Sequence, residues 1–130
     1  EEAIAKAVEE THTDWIILAG FMKILSPGFV RRFPDRIINI HPALLPAFPG
    51  AHAIRDAWEA KADHTGVTVH LVDEEVDHGR ILAQERVDIL PGDTIETLEE
   101  KIHRVEHRIY TETLKKHFEE NPISIEEWEE

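Results

Sequence analysis

Two short apolar runs decide what this chain can build. Trp15-Ile16-Ile17-Leu18-Ala19 is continuous, and Arg36-Ile37-Ile38-Asn39-Ile40 is dominated by isoleucine. Runs of this length without alternation are typical of strands buried on both faces in a parallel sheet. Between them, Ser26-Pro27 reads as an N-cap and first helical position, opening a short helix over 28–33. Strand, helix, strand predicts a βαβ unit with a right-handed crossover. The second strand stops at Pro42 with polar residues at its carboxyl end. In open α/β sheets, ligands bind just beyond the carboxyl ends of the strands. Asn39 and His41 are two apart, so in a strand they point to the same face. An amide and an imidazole can then reach one substrate group.

The remaining pattern fits one domain. Ala3, Ile4, Ala7 and Val8 share a helical face over 1–11. The loop 42–50 contains three prolines and Gly50, so it cannot be helical. A helix is expected over 52–61, and alternating, β-branched segments over 65–72 and 81–89 predict two further strands. Asp93, with Glu96 three residues on, reads as a capping box that starts the longest helix. Its apolar positions Ile95, Leu98, Ile102, Val105 and Ile109 step by 3-4-3-4 along one face. That helix is expected to end near Phe118, dividing the chain into a catalytic and cofactor-binding portion at 1–118 and an acidic tail at 119–130. The fold class expected is α/β, with a mostly parallel sheet and an antiparallel edge.

Charge and composition narrow the function. The net charge of −13 argues against nucleic acid as a partner. The tail contributes −6 and the first ten residues −3, leaving −4 for the middle, so most of the acidity lies at the ends. There is no cysteine, which excludes a thiol nucleophile or a zinc-thiolate site. No apolar run approaches the roughly 20 residues of a membrane span, and the amino terminus has no basic-then-apolar signal pattern. A cytoplasmic location is the expectation.

Four motifs taken together resemble the folate-dependent formyltransferases. They are Leu18-Ala19-Gly20-Phe21-Met22-Lys23-Ile24-Leu25-Ser26, Asn39-Ile40-His41-Pro42-Ala43-Leu44-Leu45-Pro46, Gly66-Val67-Thr68-Val69-His70 and Val76-Asp77-His78-Gly79. Order and spacing match from about Asp14 to Tyr110. Gly-Phe-Met and Pro42 favour the branch that formylates glycinamide ribonucleotide in purine synthesis. The resemblance implies a Rossmann-like formyltransferase fold and 10-formyltetrahydrofolate as co-substrate, with no metal. It implies a catalytic trio of Asn39, His41 and Asp77. It implies a folate pocket around Met22, Ile24 and Leu25 and the backbone at Val72, Asp73 and Glu74. The nucleotide is implied to lie near Gly20 and Met22, with Glu106 holding its ribose. Thr111 stands where the family usually has proline. The family also begins with a strand and a glycine-rich phosphate loop. Here the first residues read as helix and no such loop follows the first strand, so the chain is expected to be the carboxyl-terminal part of a larger domain. A homo-oligomer, or a complementary amino-terminal chain pairing with an open sheet edge, is the expected partner.

Formyl transfer explains why these residue types belong together. An amine attacks the formyl carbon and an oxyanion forms, which donors already in place must stabilise. Asn39 and a protonated His41 are suitable. A carboxylate beside the imidazole favours its charged form and can relay the proton that the amine must lose. Asp77 is the candidate, and Gly79 allows the tight turn behind it. Taken singly, each has a plainer reading: Asn39 a strand-end turn former, His41 a partly exposed loop histidine, Asp77 a solvated turn residue. His70 reads either as support for the site or as a hydrogen-bonded core histidine. His103 and His107 are four apart, a metal-binding spacing, but no third ligand is evident. The alternatives are hydrolysis of the same folate, and a non-catalytic fragment that binds folate or assembles with another chain.

Overall fold

The structure, a computed structural model of the chain, describes residues 15–18, 27–33, 35–73 and 79–120. Within these, β1 (Ile16–Ile17), α1 (Pro27–Arg32), β2 (Ile37–His41), α2 (Ala53–Glu59), β3 (His64–Leu71), β4 (Ile81–Asp88) and α3 (Ile95–Glu120) follow one another. The four strands form one open sheet in the order β1-β2-β3-β4. The βαβ expectation holds: β1 and β2 pair in parallel, with Ile16 beside Ile37 and Ile17 beside Ile38. The antiparallel portion is wider than a single edge strand. Both β2–β3 and β3–β4 are antiparallel, so the described sheet is mixed. A short connection such as that from Leu71 to Ile81 permits only antiparallel neighbours, because a parallel crossover needs a dozen or more residues.

The strand alternation divides the core in two. Ile38 and Ile40 of β2, Val67, Val69 and Leu71 of β3 and Val87 of β4 pack under α3 with Leu98, Ile102 and Ile109. Those three helix residues lie on the 3-4 stripe read from the sequence. On the opposite side, Ile16, Leu18 and Ile37 pack with Phe29, Val30 and Phe33, just where α1 covers the parallel pair. Residues 37, 39 and 41 share this second face, so Asn39 and His41 continue a row that begins in the core.

The start of α3 corrects the expected cap. Thr94, not Asp93, occupies the N-cap position. Its hydroxyl accepts the Thr97 backbone N–H at 3.2 Å, and the Thr97 hydroxyl accepts the Thr94 N–H at 2.9 Å. This is a reciprocal capping box built from two threonines, so Glu96 is not needed for it. Asp93, one residue earlier, braces the turn instead. Its carboxylate accepts the Leu90 N–H at 2.8 Å, the Thr97 hydroxyl at 2.9 Å and the Lys101 ammonium at 2.5 Å. The helix also runs on to Glu120. The expected amino-terminal helix, the Ser26 cap and the tail beyond 120 lie outside the described residues.

Candidate active site

Asn39 and His41 stand side by side on one face at the carboxyl end of β2, as their spacing requires. Pairing with β3 places His70 directly opposite Asn39 and Thr68 directly opposite His41. Gln84 of β4 lies opposite Thr68 in turn. These five polar side chains therefore form a compact patch across three strands.

His41 is not the partly exposed loop residue its singular reading suggested. It is the last residue of β2 and only 4% exposed. The proline-rich loop folds back over it, and the Phe48 carbonyl meets the His41 Nε2 at 2.8 Å. A carbonyl can only accept, so Nε2 carries the hydrogen in this contact. Phe48 adopts a φ of 49°, in the left-handed region, and the Leu45–Pro46 peptide is cis. The loop is seated on the sheet because Gly66 leaves space: a Cβ there would overlap the Leu44 side chain and the Glu85 carbonyl.

Asn39 is half-buried, and its Oδ1 is buried without a hydrogen-bond partner among the described residues. A buried amide oxygen left in this state costs about 1–3 kcal/mol, which is tolerable where a ligand completes the bonding. His70 is 2% exposed, and its Nδ1 lies 3.1 Å from the Leu71 carbonyl oxygen. It is a buried core histidine that stands opposite Asn39 in the sheet.

On the far side of the parallel pair, the Tyr110 hydroxyl of α3 donates to the Leu18 carbonyl and, at 3.2 Å, to the Ile38 carbonyl. Burial pushes the pKa of this phenol up, so it remains a donor. Glu106, one turn earlier, is mostly buried. Burial pushes its carboxyl above the ordinary carboxylate value, opposed by His103, whose Nε2 is 3.8 Å away.

Val72 donates its N–H to the Ile37 carbonyl at 2.8 Å and packs against the Leu18–Ile37 cluster. The β2–β3 pairing is thus carried one residue past β3, with the Val72 side chain on the face that Ile37 shares with Asn39. Asp73 is the last described residue before the segment 74–78. Gly79 lies so close to β3 that a Cβ would overlap the Leu71 carbonyl oxygen, so glycine is required here by close approach. Gly20, Met22, Ile24, Leu25, Glu74 and Asp77 lie outside the described residues. Among the described residues, no group of three His, Asp or Glu side chains could hold a metal, and no helix is long and apolar enough to cross a membrane. A cavity of about 420 Å³ is lined by Trp15, Asp35, Leu71, Arg80, Lys116 and His117, and none of the five patch residues lines it.

Gln84 had no signal of its own in the sequence, and Thr68 had only its place within the Gly66–His70 motif. Alternation alone put both on a sheet face, but only the register of three strands brings them beside His41.

Comparison with known proteins shows the family. Residues 1–114 match the formyl transferase family. Phosphoribosylglycinamide formyltransferase of Bacillus subtilis is 42% identical over 115 residues, which cover 88% of this chain and 59% of that protein. The bovine trifunctional purine biosynthetic protein adenosine-3 is 46% identical over 115 residues, 88% of this chain and 11% of that protein. The crystal structure of phosphoribosylglycinamide formyltransferase from Streptococcus pneumoniae TIGR4 superposes with a TM-score of 0.87 at 47% identity, covering 90% of this chain and 65% of the other. The chain thus spans less than two thirds of the length of each of these relatives.

Proposed function

This chain belongs to the formyl transferase family and has its Rossmann-like fold, and from that premise we propose that it carries the catalytic and folate-binding part of a glycinamide ribonucleotide formyltransferase. The reaction moves a formyl group from N10 of 10-formyltetrahydrofolate to the amine of the nucleotide in purine synthesis. The observation that carries the reading is the paired placement of Asn39 and buried His41 at the strand end, with the Asn39 Oδ1 lacking a hydrogen-bond partner among the described residues.

The amine nitrogen attacks the formyl carbon, forming a C–N bond, and the formyl oxygen takes up the electron pair. The Asn39 amide N–H and the cationic His41 donate to that oxyanion. Collapse of the intermediate breaks the bond to N10, which gains a proton as the former amine loses one. Asp77 takes and returns that proton, directly or through water. Met22, Ile24 and Leu25 with the backbone at 72–74 receive the folate. Gly20 and Met22 border the nucleotide, and Glu106 accepts from its ribose hydroxyls. The grip on the substrate phosphate comes from additional sequence. The similarity to phosphoribosylglycinamide formyltransferases supports the amine acceptor over water.

Formyl transfer is to be measured for this chain alone and after adding an amino-terminal segment from the Bacillus subtilis relative. We expect transfer with the segment and little without it. Full activity of the chain alone removes the need for a second segment, and no activity in either case removes the enzyme assignment. In the active form, Asn39→Ala should lower kcat by about 10²–10³-fold, the usual effect of losing one oxyanion donor. Asp77→Asn should abolish transfer while folate still binds; near-normal turnover would take Asp77 out of the mechanism.

A further inference from the structure

The turn that covers His41 is tied down by side chains to which the reaction assigns no role. The Thr68 hydroxyl donates to the Ala43 carbonyl at 2.7 Å and accepts the Leu45 N–H at 3.1 Å. It also accepts from the Gln84 carboxamide at 3.0 Å, so its single hydrogen and both lone pairs are used. The same Gln84 Nε2 donates to the Leu45 carbonyl at 3.0 Å. Gln84 thus joins the buried hydroxyl and the loop backbone with one nitrogen. The Ala47 N–H then donates to the Leu44 carbonyl at 2.9 Å, and the chain passes to Phe48, whose carbonyl accepts the His41 Nε2–H. Phe48 is held at a φ of 49°. A non-glycine residue stays in that region only where its surroundings over-determine the backbone. The ties at Ala43 and Leu45 are part of that determination.

We propose that Gln84 is a positioning residue for His41: through the Thr68 hydroxyl and the Leu45 carbonyl, its carboxamide fixes the turn from which Phe48 orients the imidazole. The inference rests on the reading of His41 as an oxyanion donor, but its geometric half stands without it. Gln84 is exposed on strand β4, at the edge of the described sheet, so replacing it opens no core cavity.

The resonance and stability measurements use this chain as it is, and the kinetic measurement adds the amino-terminal segment that the proposed function requires. Gln84→Met keeps the length and loses both donated bonds; Gln84→Glu puts an acceptor where a donor is required. In each, the ¹⁵N resonance of His41 Nε2 is compared with the parent, alongside the thermal midpoint and, under conditions where the parent transfers formyl, kcat and KM. We expect the Nε2 resonance to move or broaden in both variants while the fold is retained. We expect kcat to fall about tenfold, the scale on which small misplacement of a catalytic group is felt, with KM for both substrates within about twofold. An unchanged resonance in both variants overturns the proposal whatever the activity. A moved resonance with unchanged kcat also overturns it. A moved resonance in a chain whose parent never transfers formyl supports the positioning and counts against the reaction instead.

Discussion

Glu106 sits one turn before Tyr110 on α3, with its side chain 20% exposed. Its carboxyl is raised above the ordinary value of 4.5 by burial, which disfavours the ionised form in the folded state. A carboxyl whose folded pKa is raised lowers stability wherever it is ionised, and that loss vanishes below its unfolded pKa. Glu106→Gln should therefore raise the thermal midpoint at pH 7–8, with the gain shrinking as pH falls through the ordinary carboxylate range. Scans of both proteins from pH 8 to pH 4 check this; a gain independent of pH would mean that burial does not act on the ionised group. On the proposed function the same change should weaken nucleotide binding, since the neutral amide replaces the charged acceptor of the ribose hydroxyls. Asp93 has the opposite sign. The hydrogen bond from Lys101, then that from the Leu90 N–H, lowers its pKa to about 2. Its contribution is present above the unfolded value of 3.8 and is lost as pH falls through about 2. Asp93→Asn should thus narrow its stability gap to the parent between pH 5 and pH 2, read from the same kind of scan.

The elements differ in how openly the sequence announced them. α3 was legible because five apolar residues at helical spacing outweigh any local detail, and Leu98 and Ile102 are indeed fully buried. Its first residue was less so. Asp93 and Thr94 are both good caps, and the choice fell to Thr94 because Lys101 and the Leu90 N–H engage the Asp93 carboxylate. Those contacts span a helical turn and a loop, which local propensity does not register. Thr94→Ala should cost about 1 kcal/mol, the usual value of an N-cap. Urea unfolding with an unchanged slope is the measurement. The face shared by Asn39 and His41 was legible from the period of two. The burial of His41 was not, because it depends on the loop 42–50 folding back onto Gly66 and Thr68, an arrangement with no periodic signature.

Across the whole molecule, one hydroxyl joins what the strand alternation separates. Tyr110 reaches from α3 to the carbonyls of Leu18 and Ile38 at neighbouring points of the two parallel strands. It thereby ties the helix layer on one face to the β1–β2 seam that supports the other. Tyr110→Phe leaves both carbonyls without this donor and should cost about 1–3 kcal/mol. Hydrogen exchange should show the Leu18 N–H, which donates to the Ile38 carbonyl at 2.8 Å, exchanging faster while the β3–β4 hairpin keeps its protection. Uniform acceleration across the sheet would contradict this local role.

The pairing of β2 with β3 has a consequence for how the protein can fail. Ile38 and Ile40 point toward α3, while Asn39 and His41 point away from it. Sliding β2 by one residue would exchange the two sets, burying an amide and an imidazole under the helix and putting two isoleucines where Asn39 and His41 stand. Such a strand would be both inert and unstable. On the proposed function, chains misfolded in this way cannot be half-active, so in a refolded preparation the specific activity would count correctly registered molecules rather than grade their quality.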